Sequence, residues 1–381
     1  MTLRNAAGAL AEPTATPLRS PSAVDLAAKV AFLSAPSAYP GQIDAVTARE
    51  THMSWVFLAG TRVYKLKKPV RFPYLDFSTL ARREAACRAE LRLNRRLAGE
   101  IYIGMAPLML TAQGLCLGPC RDGAATHSSR AMPRGSAPPT TGDILDWLVV
   151  MQQLDERYML DHAIAIGTVP PQALDRLVTL LARFYRSATP VRLTAKAHLA
   201  DWRQSLADNR RALADPRAQV PAALARLVGG VQERFLARHG GLLAERARRG
   251  CIVDAHGDLR PEHIWLGNPP RIIDCLEFNA RLRANDPFDE IAFLALECER
   301  LGSPSVARYL CARLTRALPH PPPRVLVAFY RCHRASLRAR LAVAHLFEDH
   351  PRSPEKWPAQ ARAYLQLVRR DALLLDALLR R

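Results

Sequence analysis

The sequence predicts an α+β protein in two parts: a small β-rich N-terminal lobe carrying one helix, then a large, mostly helical C-terminal lobe. Three observations carry this expectation. β-branched and aromatic runs flank a glycine at residues 54–70, as in a hairpin. From about residue 157 onward the apolar residues recur almost everywhere at helical spacing. And 381 residues exceed what one ordinary core serves, so two lobes are the natural arrangement. The expected boundaries are a tail over 1–24, a first lobe over 25–154 and a second over 155–381.

Taken in order, residues 1–24 are rich in Ala, Pro, Ser and Thr and lack the apolar middle of a secretory signal, which reads as a disordered tail. Ser54–Leu58 and Thr61–Val70 surround Ala59-Gly60 and form the hairpin. A helix is expected over 78–98, with Ser78 as cap, Leu80, Cys87, Leu91 and Leu97 on one face, and Gly99 as stop. Residues 101–110 and 146–154 read as strands, and 121–142, with unpatterned Gly, Ser, Thr and Pro, as a flexible loop. Helices follow near 171–187, 198–214, 221–249, 288–301, 304–317, 323–347 and 357–380. No internal repeat is present.

Composition excludes several functions. No apolar run reaches the roughly 18 residues of a membrane span, so the expectation is a soluble, cytoplasmic protein with no membrane partner. The net charge of +19 rests on 48 Arg and only 6 Lys scattered through an Ala- and Leu-rich chain. No basic run is interleaved with aromatics, so no specific nucleic-acid partner is expected. Eight dispersed cysteines read as free thiols of a reduced compartment, and Cys116 and Cys120 lack the second pair of a zinc site.

The chemistry concentrates at residues 251–279. His256-Gly257-Asp258-Leu259-Arg260-Pro261-Glu262-His263 is followed by an apolar hairpin and then Ile272-Ile273-Asp274-Cys275-Leu276-Glu277. One carboxylate sits in a loop, and a hairpin delivers another 16 residues later. Phosphoryl transfer uses such a pair: one Asp orients the acceptor hydroxyl and takes its proton, the other holds the metal that bridges the phosphates. Carboxylate oxygen is the donor that Mg²⁺ prefers.

His256–His263 resembles the kinase catalytic loop His-Arg-Asp-Leu-x-x-x-Asn. With Gly257 in the second slot it is similar to aminoglycoside phosphotransferases and choline kinases, whose loop begins His-Gly-Asp. Ile272-Ile273-Asp274 resembles the kinase metal-binding strand and Asp. Thr51-His52-x-Ser54-Trp55-Val56-Phe57 and Tyr64-Lys65-x-Lys67-Lys68-Pro69-Val70 resemble a bacterial aminoglycoside phosphotransferase-like subfamily, some longer members of which add a C-terminal P-loop domain. No Gly-x-x-x-x-Gly-Lys occurs in these 381 residues, so that domain is expected to be absent. The resemblance covers about residues 45–300 and implies a protein-kinase-like two-lobed fold, ATP with Mg²⁺ or Mn²⁺, and a small-molecule hydroxyl as acceptor.

The resemblance also distributes roles. Asp258 is the expected catalytic base, and His256 a hydrogen-bonder that packs the loop. Lys65 takes the place of the kinase phosphate-contacting Lys. Three of the six lysines lie at 65, 67 and 68, and a Lys kept in an Arg-rich chain suggests a role for its point charge. Lys67 and Lys68 read as a solvated strand end. Glu90, with Glu84 as the alternative, is the expected partner of Lys65. Thr51 and Ser54 stand where a glycine-rich loop is missing and are the candidates to face the phosphates. Asp274, helped by His263 and Glu277, would hold the metal. His263 occupies the Asn slot of the loop, and imidazole suits Mn²⁺ better than Mg²⁺. Asp286 is expected to cap a helix with Pro287 in its first turn. Asp289 is either the acid that supports the catalytic loop or a dipole-favourable helix charge. Asp286, Asp289, Glu290, Glu297 and Glu299 could form a local acidic patch for a cationic acceptor. The missing glycine loop and His263 leave a second reading open, a pseudokinase or nucleotide-dependent regulator.

Overall fold

The computed structural model describes residues 24–122, 142–347 and 354–381. The expected tail and most of the expected 121–142 loop lie outside the described residues. The fold class is α+β, and the chain divides into two compact units. Among the described residues, the first comprises 24–122, 142–155 and 272–278, the second 156–271, 279–347 and 354–381. The seven residues 272–278, read from sequence as part of the second lobe, therefore belong to the sheet-bearing unit.

In that unit α1 (Leu26–Leu33) precedes β1 (Val46–Glu50), β2 (Ser54–Ala59) and β3 (Arg62–Lys67). A two-stranded turn, β4 (Arg71–Phe72) with β5 (Leu75–Asp76), leads to α2 (Leu80–Ala98). Then come β6 (Tyr102–Thr111), β7 (Gly114–Leu117) and β8 (Asp143–Gln152). Six strands form one antiparallel sheet in the order β1-β2-β3-β8-β6-β7. Side-chain alternation gives this sheet two apolar faces. Tyr64, Leu66, Leu148 and Val150 pack with Leu33 of α1, while Trp147, Val149 and Met105 pack with Cys87 and Leu91 of α2. Lys65 and Lys67 alternate with Tyr64 and Leu66, so both point to the α2 face. Asp146 ties the two helices in, accepting from Lys29 Nζ at 2.9 Å and Arg83 Nε at 2.7 Å.

Thr79, rather than Ser78, caps α2: its hydroxyl accepts from Arg82 N–H. The Ser78 hydroxyl and N–H are both engaged by Asp76 Oδ1, at 2.6 and 3.0 Å. Gly99 ends the helix at φ 58°, a conformation glycine adopts without a Cβ penalty.

The second unit is mostly helical: α3 (Leu160–Ala165), α4 (Pro171–Ser187), α5 (Ala195–Ala214), α6 (Ala222–Arg248), α7 (Ala280–Arg283), α8 (Pro287–Arg300), α9 (Pro304–Ala317), α10 (Arg324–Ala344) and α11 (Lys356–Leu379). Short strands β9 (Val253–Asp254) and β12 (Ala284–Asn285) pair antiparallel, and β10 (Ile264–Trp265) with β11 (Arg271–Ile272) makes the expected hairpin. The core centres on α8, whose residues Pro287–Cys298 are all buried. Among the described residues no helix is long and apolar enough to cross a membrane, no group of three or more His, Cys, Asp or Glu could hold a metal, and all eight cysteines are free.

Candidate active site

The sheet-bearing unit places two lysines against three carboxylates. Lys65 Nζ donates to Glu90 Oε1 at 2.9 Å and to Asp274 Oδ1 at 2.8 Å. Lys67 Nζ donates to Glu90 Oε2 at 2.6 Å and to Glu277. β3 supplies the lysines, α2 supplies Glu90 from its buried face, and segment 272–278 supplies the other two acids. Burial works against both ammonium charges, but the acids outweigh it and hold both lysine pKa values above the ordinary lysine value. Glu90 is fully buried, and its two lysines overcome that burial and hold its carboxyl below the usual range. Burial pushes Glu277 the other way, upward, against the pull of Lys67.

Asp274 is the open member of this network, with its side chain 47% exposed. It sits at φ 62°, in the left-handed region that few non-glycine residues enter. Its own N–H donates to the buried Tyr102 hydroxyl at 3.1 Å. The next N–H, of Cys275, donates to Asn94 Oδ1 of α2 at 2.8 Å. Two backbone bonds on either side of the strained residue fix its direction.

Several expectations are corrected here. Lys67 is no solvated strand end; it is 0% exposed and shares Glu90 with Lys65. Lys68 is also buried and donates to Glu50 and to the Thr51 carbonyl at 2.7 Å. Glu277, expected to help hold a metal, accepts from Lys67. Ser54 is buried, and the Thr51 hydroxyl accepts its N–H and donates to its carbonyl, both at 2.9 Å. These two residues close the β1–β2 turn rather than presenting hydroxyls outward. Glu84, the alternative partner of Lys65, pairs instead with Arg88 one helical turn on.

In the helical unit the loop bearing Asp258 hangs from one buried acid. Glu290 of α8 accepts the N–H of His256 at 3.1 Å, the N–H of Gly257 at 2.5 Å and the hydroxyl of Tyr185 at 2.8 Å. Gly257 lies at φ 91°, so no other residue turns the chain here without strain. Burial raises the Glu290 pKa against these donors. Asp289, left from sequence between this support and a dipole-favourable helix charge, binds Arg334 bidentately at 2.9 and 2.8 Å. His256 is buried and its Nδ1 accepts the Asp258 N–H at 3.3 Å, which makes it a packing element of the loop.

Asp258 itself is about a quarter exposed and accepts from Arg260 Nε at 3.0 Å. Burial opposes its charge, but Arg260 above all holds the carboxyl below the ordinary aspartate value. Arg260 also donates from Nη1 to Glu262 Oε1 at 2.6 Å. His263 Nδ1 lies 2.8 Å from the Asp258 carbonyl, and its Nε2 lies 3.2 Å from Arg260 Nη2. A guanidinium can only donate, so Nε2 accepts and Nδ1 carries the proton. Both ring nitrogens of His263 are thus engaged, Nδ1 as donor and Nε2 as acceptor. Sequence reasoning passed over Glu262, though it stood in the quoted motif.

The acids of α8 and its cap do not form an open patch. Asp286 caps α8 through Phe288 N–H and also binds Arg246 at 2.5 and 3.0 Å and Tyr330 at 3.0 Å. Glu297 takes Arg300 and Tyr364, and Glu299 takes Arg331 and Arg370. Of the three residues expected to hold a metal, only Asp274 offers an outward carboxylate, a hard oxygen donor that fits Mg²⁺.

No family model matches the sequence. Two mycobacterial proteins, from Mycobacterium bovis and Mycobacterium tuberculosis and both described as uncharacterized, are 32% identical over 312 residues, 80% of this chain and 56% of theirs. The chain thus spans about half the length of the curated relatives it matches. Among solved structures it is similar to a choline/ethanolamine kinase family protein from Mesorhizobium loti, with TM-score 0.45, 16% identity, and 90% of this chain and 98% of that one covered. A choline kinase from Cryptosporidium parvum Iowa II gives TM-score 0.47, 11% identity and 93% and 99% coverage. A thermostable mutant of an aminoglycoside phosphotransferase gives 0.43, 13%, and 88% and 96%.

Proposed function

We propose that this protein is an ATP-dependent phosphotransferase that moves the γ-phosphate to a hydroxyl of a small molecule. The observation that carries the reading is the ion-pair network of Lys65 with Glu90 and Asp274. A sheet needs no two lysines, one of them fully buried, on one helix glutamate. Phosphoryl transfer does need a strand Lys fixed by a helix Glu, beside an Asp whose carboxylate reaches a metal.

In this reading the Lys65 ammonium donates to phosphate oxygens, and Glu90 and Lys67 fix its position. Asp274 would hold Mg²⁺, which would supply charge to neutralise the phosphates. Asp258 orients the acceptor hydroxyl and takes its proton as the new O–P bond forms and the bond to the ADP oxygen breaks. Glu290 and Tyr185 hold the backbone that aims Asp258. With His263 engaged by Arg260, no imidazole is offered to the cation, which favours Mg²⁺ over Mn²⁺. The paired acids of α8 give a polycation no open carboxylate, so the acceptor is proposed as a hydroxyl compound and not as an aminoglycoside.

The test is ATP consumption across pooled metabolites, for the wild type and for Asp258→Asn. Consumption in some pool by the wild type alone supports the reading. Nucleotide binding that Lys65→Ala weakens, with no turnover in any pool, would move it to the second reading, a nucleotide-dependent regulator. The Arg260 salt bridge on the Asp258 carboxylate favours that second reading.

A further inference from the structure

Inside the helical unit, α5 and α10 run side by side in parallel. Trp202 stacks near Tyr330, and Ser205 Oγ lies 2.7 Å from His333 Nε2, a constant offset along both helices. One turn further this register brings Asp208 and Asn209 to the level of Ser336, to which Gln232 of α6 donates at 3.2 Å. Arg340 follows Ser336 by one turn, and helical side chains lean toward the N-terminus. Its guanidinium is therefore delivered back to the level of Asp208 and Asn209, and the Asp208 charge acts on it.

Among the described residues this place is singular. Arg340 is 2% exposed, and its Nε, Nη1 and Nη2 have no hydrogen-bond partner. Asn209 is 1% exposed and neither its Oδ1 nor its Nδ2 is satisfied. Asp208 is 3% exposed; its Oδ1 accepts from Gln204 and Arg211, while its Oδ2 is unsatisfied. Native interiors satisfy almost every such group, and a buried guanidinium with no acceptor is among the least tolerable exceptions. Burial depresses the Arg340 pKa to about 10, so it remains a cation at neutral pH.

We propose that Arg340, Asn209 and Asp208 form a binding site for a hydroxyl-bearing oxyanion, hydrogen phosphate or a phosphate monoester monoanion. Three guanidinium nitrogens and the Asn209 amide nitrogen require acceptor oxygens, which a tetrahedral oxyanion supplies in a guanidinium's own fork geometry. Asp208 Oδ2 and Asn209 Oδ1 require donors. A fully deprotonated oxyanion has none, and a P–O–H group has one. The local charge suits an anion, because Asp208 is already shared with Arg211. The site is separate from the Lys65 network and does not depend on the kinase reading.

Phosphate and sulfate, alike in size and in salting behaviour, separate the possibilities when compared at pH 6.5 by calorimetric titration and thermal unfolding. The proteins are the wild-type chain, Arg340→Met and Lys65→Ala. The expected result is saturable 1:1 phosphate binding at least tenfold tighter than sulfate, kept in Lys65→Ala and lost in Arg340→Met. Arg340→Met should fold and, in anion-free buffer, melt no lower than the wild type, since it removes an uncompensated buried charge. Phosphate stabilisation that persists in Arg340→Met, or that disappears in Lys65→Ala alone, would overturn the assignment. So would equal affinity for the two anions, or a crystal grown in phosphate with only water at the guanidinium.

Discussion

Replacing Asp258 by Asn keeps the side chain's size and its place beside Arg260 but removes its capacity to take a proton. Phosphotransfer should fall by about 10²-fold or more while the melting temperature stays close to wild type, as kinetics and calorimetry on one preparation would show. Glu90→Gln acts on stability instead. Glu90 is held below its ordinary pKa by Lys65 and Lys67, so its contribution is complete above the unfolded-state pKa and is lost as pH falls through the folded one. The variant should lose about 3–5 kcal/mol at neutral pH, because the buried Lys67 ammonium and the mostly buried Lys65 ammonium both lose an anion. Its stability should also fall less steeply on acidification from pH 5, where denaturant titrations at several pH values give the slope.

Among the elements, the start of α8 does more than a cap. Asp286 satisfies the helix N-terminus while binding Arg246 of α6 and Tyr330 of α10. Asp286→Ala should cost about 3–5 kcal/mol, since it strands a buried arginine, well above the roughly 1 kcal/mol of an ordinary lost cap. Urea unfolding would measure it. The long helices were legible because each carries an apolar stripe of many turns, and the β2–β3 hairpin because its strands are apolar and aromatic around Gly60. Several short elements passed unread: α1, α3 and α7 are too short for periodicity to register, β4, β5 and β12 have two residues each, β7 has four, and β1 is an edge strand whose last four residues are exposed. Within the site, Asp258, Lys65 and Asp274 were legible from motif spacing. Lys67 was legible in principle, since two residues along a strand return to the same face. Glu290 was not. It and Asp289 are neighbours at a helix start, about 100° apart, and the rotation that points one at the loop is set by packing against α4 and α10.

At the scale of the whole molecule, the Lys65 network is contained in one compact unit and the Asp258 loop in the other. On the proposed reading, nucleotide binding and proton transfer should therefore be separable by mutation. With ATP and Mg²⁺ at about 100 times Kd the chain should gain about 2.7 kcal/mol of stability. Asp258→Asn should keep that gain and Lys65→Ala should lose it, as calorimetry with a non-hydrolysable analogue would show. Charge at this scale is also spent internally. Arg83, Arg246 and Arg334 are buried against Asp146, Asp286 and Asp289, so these pairs cancel and the net +19 is carried by the rest of the chain.

The return of residues 272–278 to the sheet-bearing unit has a consequence for biosynthesis. A ribosome delivers β1 to β8 and α2 long before it reaches Asp274, Cys275 and Glu277. Until then Lys65 and Lys67 share the single carboxylate of Glu90, and Asn94 has no Cys275 N–H to receive. At roughly 5–20 residues per second, the nascent N-terminal half waits many seconds with this charge imbalance facing its apolar interior. Nascent chains arrested before residue 272 should therefore be protease-sensitive across β3 and α2, and chains arrested far enough downstream to free residue 278 from the exit tunnel should be resistant. The first unit to be translated is thus completed only when most of the second has been made.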